Sequence, residues 1–125
     1  MLLALVSFLP SNSKRVRSMS EKNAAVHLAE EIEIQGGSTI SKTLHQDDNL
    51  KIVLFGFDAG QELSEHTAAV PAIMHFLEGK ADVTVGADES VAGANTLYHM
   101  EAKMPHSIRA TEPTKMLLML LKKCS

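Results

Sequence analysis

The segment Gly60-Gln-Glu-Leu-Ser-Glu-His66-Thr-Ala-Ala-Val-Pro-Ala-Ile-Met-His-Phe-Leu-Glu-Gly79 decides the fold of this chain. Two runs within it, Glu62 to His66 and Ala72 to Leu77, are predicted to be β-strands because each lies between turn signals. Glu78-Gly79-Lys80 is predicted to be a hairpin turn, since glycine readily adopts turn conformations. The segment therefore predicts two strands, the second of which leads through a tight turn into a third.

The rest of the chain repeats this pattern of short strands and turns. Leu50 to Phe57 is the clearest strand, because it is rich in β-branched and aromatic residues. Ala81 to Val85 alternates between apolar and polar residues up to the predicted turn Gly86-Ala87-Asp88, and the apolar run Met116 to Leu121 favours a strand buried on both faces. The other predicted strands are Ser38 to Leu44, Thr96 to Met100 and His106 to Ala110. Strands about every ten residues are typical of an all-β sandwich or barrel.

The N-terminal residues do not follow the strand pattern. Met1 to Leu9 is a short apolar run with its basic residues after it, so it lacks the charge order of a secretory signal and the length of a membrane span. We predict that residues 1–19 are a disordered or over-extended leader, and the alternative is a weak membrane-targeting tail. Ser20 to Glu30 is predicted to form a short helix capped by Ser20, with an irregular leader as the alternative. Residues 20–125 are predicted to form one domain.

Composition limits the classes of function. With 125 residues, of which 45% are hydrophobic, the chain has the size and composition of one packed domain. A net charge of −3 without a basic stripe argues against nucleic acid as a partner, and no membrane partner is predicted for the domain that follows the leader. The single cysteine, Cys124, excludes an intrachain disulfide and is consistent with a cytoplasmic location. The common hydrolase and nucleotide-binding motifs are missing, so no catalytic residue is assigned.

The segment from Gly60 to Gly79 resembles the first conserved motif of the cupin family. That motif reads Gly, five residues, His, one residue, His, three or four residues, Glu, six residues, Gly, and its spacing is matched by Gly60, His66 and Gly79. The second cupin motif has a proline-containing turn and a His that opens the next strand, and Ala102 to Ala110 is similar to it through His106. The resemblance implies a small single-domain, RmlC-like cupin of the type-2 conserved-barrel kind, which is an all-β jelly-roll barrel.

Two of the four metal ligands of the family are replaced in this chain. The second His of the first motif falls on Ala68 and its Glu falls on Ala72, so the resemblance leaves His66 and His106 as metal ligands. Two imidazoles hold a divalent metal weakly, because open catalytic sites usually offer three protein ligands. Two alternatives stay open: one Fe, Mn, Zn or Ni ion at this pair, or no metal, with the two rings hydrogen-bonding a ligand or each other.

Other polar side chains are weighed as additions to this site. Glu62, Glu101 or water could complete the coordination of a metal. Strand alternation puts His75 on the outer face, and it puts Arg109 outward because Arg109 has the opposite parity to the second motif's His. His99 is a weaker candidate whose facing is open. His27 and His45 are predicted to be solvated.

The resemblance implies that the two His point into one interior pocket, and the same alternation adds an apolar lining to it. The predicted pocket residues are His66, His106, Met74, Phe76 and Met104. A mostly apolar cavity with a few polar groups is the usual form of a small-molecule site. The alternative is that the apolar side chains simply fill a small barrel.

Three functions follow from these alternatives. The favoured one is a small-molecule-binding cupin-domain protein whose pocket is centred on the two His. The second is a metal-dependent cupin enzyme, an oxygenase or isomerase that acts on a small organic substrate. The third is a structural barrel without a pocket. For each of them the resemblance implies a homodimer, and Glu31 to Leu44 is the edge expected to pair.

Overall fold

The structure of this chain is a computed structural model, and it describes residues 25–122. Within this range the chain forms one short 3-10 turn, Leu28–Glu30, and nine strands. The strands are β1 (Thr39–Gln46), β2 (Leu50–Phe57), β3 (Glu62–His66), β4 (Ala72–Glu78), β5 (Ala81–Val85), β6 (Asp88–Ala92), β7 (Thr96–Met100), β8 (His106–Ala110) and β9 (Thr114–Leu121).

The strands form two antiparallel sheets that share one core. The five-stranded sheet has the order β1-β2-β9-β4-β7, and the four-stranded sheet has the order β3-β8-β5-β6. Short connections carry the chain from one sheet to the other, as between β4 and β5 or between β8 and β9. The predicted all-β, cupin-type jelly-roll barrel is thereby confirmed.

Alternate residues of the strands fill the space between the sheets. On β4, the buried Ala72, Met74 and Phe76 alternate with half-buried residues, because successive side chains of a strand point to opposite faces. The buried members of this core are Phe57, Ala72, Met74, Phe76, Ala81, Val83, Ala92, Met100, Ile108, Ala110 and Met116. Both sheets contribute to it, so the core holds the two layers together.

The outer face of the five-stranded sheet carries a second apolar cluster. Leu54 and Leu117 point outward from β2 and β9, and Ile32 from the segment before β1 packs in the same cluster. Ile32 is 8% exposed there. The segment that leads into the barrel is therefore held by apolar burial and contributes no strand.

Two predicted elements are corrected by the structure. The predicted helix Ser20 to Glu30 is reduced, within the described residues, to the 3-10 turn at Leu28–Glu30. Asp88 is not a turn residue but the first residue of β6, because Gly86, at a φ of 61°, allows a two-residue connection that pairs Val85 with Asp88.

Some predictions concern residues that the structure does not describe. The predicted leader, residues 1–19, and Cys124 lie outside the described range. Within residues 25–122, no helix has the length and apolar character needed to cross a membrane.

Candidate functional site at the open end of the barrel

The two ends of the barrel carry different side chains. The β4–β5, β6–β7 and β8–β9 connections gather at one end, named here the closed end, and the β3–β4, β5–β6 and β7–β8 connections gather at the other, the open end. At the closed end, small side chains of the four-stranded sheet pack with large side chains of the five-stranded sheet. The small ones are Ala81, Ala92 and Ala110, and the large ones are Phe57, Phe76 and Met116. All six are buried, so this end holds no accessible pocket.

At the open end, one row of residues crosses all four strands of the four-stranded sheet. His66 on β3 is paired with His106 on β8. Val85 on β5 is the other partner of His106, and Asp88 on β6 is paired with Val85. His106, at 4% exposed, lies two residues before the buried Ile108 and therefore shares its inward face. This polar row, defined by His66, His106, Val85 and Asp88, forms the rim of the barrel interior.

A β-bulge brings His66 into this row. Leu63 is paired with Ile108 and His66 with His106, so β3 advances three residues where β8 advances two. The extra residue in β3 allows Leu63 and His66 to share one face although their separation is odd. Plain alternation would have placed His66 on the outer face, where it could not meet His106.

The two imidazole rings are in contact and are held in the same way. Their centroids lie 4.1 Å apart, with an angle of 61° between the ring planes. Nδ1 of His66 donates to the Ser64 carbonyl at 2.9 Å, and Nδ1 of His106 donates to the Met104 carbonyl at 2.9 Å. Because a carbonyl only accepts, each neutral ring carries its lone pair on Nε2. Among residues 25–122 neither Nε2 has a hydrogen-bond partner, so two acceptor nitrogens stand side by side.

The environment of His106 favours its neutral form. Burial lowers the pKa of His106 below the ordinary value of 6.5, and the neighbouring His66 lowers it further, while the hydrogen bond to the Met104 carbonyl acts in the opposite direction. His66 is exposed and lies toward solvent. Near pH 7 the inner member of the pair is therefore an uncharged acceptor.

A cleft of about 410 Å³ continues the polar row. It is lined by Val85, Gly86, Ala87, Asp88, His99, Met100, Glu101 and Met104. Met104 connects the cleft to the His pair, because its carbonyl holds His106 and its side chain lines the cleft. The backbone N–H of Gly86 donates to the Pro105 carbonyl at 2.8 Å, which holds the two walls of the cleft together.

The loop before β8 adopts a conformation that favours glycine. Lys103 stands where the second cupin motif has a Gly, and it has a φ of 69°. Its N–H donates to the Ala68 carbonyl at 2.7 Å, which ties the β3–β4 loop to the β7–β8 loop. The backbone geometry of the motif is thus present, and a lysine occupies a strained position in it.

The structure separates the residues predicted to line the pocket. His66, His106 and Met104 come together at the open end, as described above. Met74 and Phe76 are 0% and 1% exposed, so they are packed in the core and face no open space of water size. Alternation gives the direction of these two side chains correctly, but the opposite sheet fills the volume that a pocket would need.

The donor set does not fit the four-ligand metal site of the family. Among the described residues, no three His, Cys, Asp or Glu side chains lie close enough together to hold a metal ion. Ala72, at the position of the family's Glu, is buried on the inner face beside Met100. Glu62 is exposed and alternates with the inward Leu63, so it lies on the outer face and does not complete a site. The pair provides two imidazole donors, one fewer than open catalytic sites use.

The other polar residues weighed from the sequence lie away from the pair. His75 is half-buried on the outer face of β4, as alternation predicts, and His27 is exposed. Arg109 is exposed and is flanked in the register by Glu62 and Asp82. Arg109 therefore points outward as predicted, although within residues 25–122 no carboxylate lies within salt-bridge distance of its guanidinium.

His45 departs from the sequence-based expectation, and the structure also gives the facing of His99. His45, predicted to be solvated, is half-buried, and its Nε2 donates a hydrogen bond to Oδ2 of Asp47 at 2.7 Å, since both lie at the tight β1–β2 connection. The hydrogen bond from His45 lowers the pKa of the Asp47 carboxyl, and the backbone N–H groups of Asn49 and Leu50 add to this effect. His99, whose facing was open, is exposed and lines the cleft.

Sequence reasoning missed Val85 and Asp88 as members of the site. The available signal was the two-residue turn Gly86-Ala87, which permits a hairpin and hence a strand that starts at Asp88. With that strand in place, the register alone puts Val85 and Asp88 beside His106.

The fold has counterparts among solved structures, although the sequence matches no family model and no curated protein. A conserved protein of unknown function from Streptococcus pyogenes is 28% identical, has a TM-score of 0.76, and is matched over 91% of this chain and 100% of that protein. An RmlC-like cupin protein from Desulfovibrio desulfuricans is 26% identical, with a TM-score of 0.71 over 78% of this chain and 95% of that one.

A third structure agrees in fold. A cupin superfamily protein from Desulfitobacterium hafniense has a TM-score of 0.76 over 88% of this chain and 100% of that protein, at 24% identity. All three are matched over nearly their whole length. The similarity therefore extends over the whole barrel of each of these three chains.

Proposed function

We propose, from the premise that this chain is a small cupin-domain protein, that its open end binds a small molecule through His66 and His106. One observation carries the proposal: the two rings lie 4.1 Å apart, and each has its Nδ1 committed to a backbone carbonyl. Two acceptor nitrogens held in this way can receive hydrogen bonds from one ligand. The half-buried Met104 adds an apolar wall beside them, as small-molecule sites usually have.

The burial of His106 argues against a purely structural barrel. Among the described residues the buried polar side chains are His106 and Thr114. Thr114 uses its hydroxyl both ways, since it accepts from the Lys80 N–H at 3.1 Å and donates to the Glu112 carbonyl at 2.7 Å. Nε2 of His106 has no hydrogen-bond partner among the described residues, yet it is not one of their fully buried unpaired atoms, which are Thr39 Oγ1 and His45 Nδ1. This nitrogen is therefore open to water or to a ligand, an acceptor for which a purely structural barrel has no use.

The test is a fragment screen on the full, tag-free chain by ligand-observed NMR. Wild type is compared with His66→Ala, His106→Ala and the control His27→Ala, which removes an exposed imidazole away from the open end. We expect fragments that bind wild type and the control and lose at least about tenfold in affinity in both pair variants. Fragments that bind all four proteins equally, or no fragment at all, would overturn the proposal. Thermal unfolding of each variant checks that it is folded.

A metal-dependent oxygenase or isomerase acting on a small organic substrate is the second candidate function. One observation favours it: the contact between Nδ1 and a backbone carbonyl is the contact that orients His ligands in metal sites. His66 and His106 would hold the ion through Nε2, and a bound ion would supply Lewis-acid chemistry. The metal-dependent function is disfavoured because residues 25–122 provide no third protein ligand near the two His.

Elemental analysis decides between these two candidates. The tag-free protein is incubated with iron, manganese, zinc or nickel, desalted, and compared with the two alanine variants. The favoured function predicts clearly less than one ion per chain, because two imidazoles bind weakly. One ion per chain that is lost in both variants would make the metal-dependent enzyme the better account.

We also propose that the chain forms a homodimer through the outer face of the five-stranded sheet near β7. Leu97 on β7 is 59% exposed, and its register neighbour His75 is half-buried beside it. The pairing edge expected from the sequence, Glu31 to Leu44, includes β1 but has no strand before Thr39.

Light scattering should give a dimer mass for wild type and a monomer mass for Leu97→Asp. Val91→Asp is the control, since Val91 is also 59% exposed but lies on the four-stranded sheet. A monomeric wild type, or a dimeric Leu97→Asp, would contradict the proposal.

A further inference from the structure

We infer that the open end selects a small organic cation: a protonated amine that carries a second hydrogen-bond donor. This inference rests on the proposed binding function and adds the chemical class of the ligand. The second donor would reach Nε2 of His66 and His106. The amine would lie against Asp88 and Glu101.

The His pair selects for a donor group. Both Nδ1 atoms are already used as donors to carbonyls, at 2.9 Å each, so a neutral pair offers lone pairs and no N–H to a ligand. His106 is 4% exposed, and among residues 25–122 nothing contacts its Nε2 by a hydrogen bond. A hydroxyl or amine can satisfy this nitrogen, whereas a carboxylate, which only accepts, cannot.

The cleft beside the pair selects for positive charge. The acidic side chains that line it are Asp88 and Glu101, and no Lys or Arg is among its lining residues. Lys103 is close in sequence, but it is exposed and does not line the cleft. A cationic group gains from these carboxylates, and an anionic group would be repelled by them.

The register sets the spacing between the two recognition points. Asp88 lies two strands away from His106 in the polar row, which corresponds to about 10 Å between their backbones. Both side chains share the inner face and extend toward the same space, which shortens this gap. A chain of about four carbon atoms between donor and amine therefore spans it.

The apolar lining fits the body of such a ligand. Val85, Met100 and Met104 line the cleft between the acidic and imidazole groups. The cleft volume of about 410 Å³ holds a small organic molecule and not a polymer. Methionine side chains also adapt to ligand shape, because they are unbranched and flexible.

The test uses three probes of equal length that differ in their end groups: aminobutanol, butanediol and succinate. Affinities are measured by calorimetry near neutral pH and low salt on the full chain. We expect aminobutanol to bind at least about tenfold more tightly than either of the others. Asp88→Asn should remove about tenfold of the aminobutanol affinity and leave butanediol unchanged. Asp82→Asn is the matched control, because Asp82 is exposed on β5 and alternates with inward residues.

The outcomes separate the inference from the proposed function. Succinate binding more tightly than aminobutanol, or equal loss for Asp82→Asn and Asp88→Asn, would overturn the cation preference while leaving a binding site at the His pair. His-dependent fragments together with no binding by any of the three probes would also overturn the inference alone. A fragment screen in which no fragment depends on His66 and His106 would instead overturn the proposed function.

Discussion

The closed end and the open end of this barrel are built from the same two sheets, but apolar side chains fill the first and polar side chains surround the second. At the closed end, alanines on the four-stranded sheet leave room that Phe57, Phe76 and Met116 fill. At the open end the four-stranded sheet carries two imidazoles, and the five-stranded sheet faces them with Ala72 between Met100 and Leu120. At the closed end the side chains of the two sheets are complementary in size. At the open end two imidazole nitrogens have no hydrogen-bond partner within residues 25–122.

This difference separates the region that stabilises the fold from the region of the proposed binding site. Complementary sizes at the closed end give dense packing, which is the main source of stability in a small domain. At the open end the positive φ of Lys103 reduces stability, and backbone strain of this kind is typical of functional sites. Substitutions at the two ends should therefore have different effects.

The largest contrast should come from truncating one ring at each end. Phe76→Ala should lower the free energy of unfolding by about 3–5 kcal/mol, because it leaves a cavity in a packed core. His66→Ala should change it by less than about 1 kcal/mol, because that ring is exposed. Urea denaturation of both variants measures the difference. Similar costs at the two ends would break the comparison.

The closed end should also be intolerant of added atoms. Gly79 has a φ of 96°, and a Cβ there would lie 2.2 Å from the Pro113 carbonyl oxygen. Gly79→Ala should therefore cost about 1–3 kcal/mol or more in the free energy of unfolding, since both strain and a backbone clash must be relieved. Gly93→Ala is the control, because a Cβ at Gly93 meets nothing within 4 Å. Equal denaturation midpoints for the two variants would contradict this.

One substitution at the open end should stabilise the fold by relieving backbone strain at Lys103. Lys103→Gly should raise the free energy of unfolding by up to about 1 kcal/mol, because glycine adopts the φ of 69° without strain. Lys103→Ala keeps a Cβ at that φ and should give no such gain. Thermal unfolding of the two variants checks this pair, and a stabilised Lys103→Ala would show that the gain has another cause.

The smallest effect concerns the pH dependence of stability. The folded-state pKa of His106 lies below the 6.5 of an ordinary His, mainly because of burial, so the unfolded chain binds the proton more tightly. Its contribution is complete above about pH 6.5 and is lost as the pH falls through the lowered folded-state pKa. His106→Gln should therefore lose less stability than wild type on acidification, and His27→Gln should behave as wild type. Denaturation curves across this pH range would contradict the assignment if wild type and His106→Gln showed the same slope.

Most of the fold could be predicted from the sequence, because the order of apolar and polar residues in a strand indicates which of its side chains face the core. Leu50 to Phe57 and Ala72 to Leu77 have compositions and alternation that need no tertiary information, and both form strands. The strand at Asp88–Ala92 was missed because most of its side chains are polar and exposed. Its pairing depends on a turn of only two residues, whereas the predicted turn, Gly86-Ala87-Asp88, included the first residue of the strand.

The site could be predicted only in part, for a physical reason. The meeting of His66 and His106 followed from the family spacing, but the bulge after Leu63 that makes it possible is a property of two paired strands. Whether Met74 and Phe76 line a pocket depends on how far the opposite sheet fills the interior, and no local pattern reports that volume. The sequence therefore gives the directions of side chains, and the structure adds the space between them.

The most direct test of this account is a histidine ring-nitrogen NMR spectrum of the labelled protein, recorded with and without a bound fragment near neutral pH. We predict that His66 and His106 carry their proton on Nδ1, and that the signals of both Nε2 atoms move when the fragment binds. Protons on Nε2 in both rings, or Nε2 signals that do not move on binding, would show that the His pair is not the recognition site of this barrel.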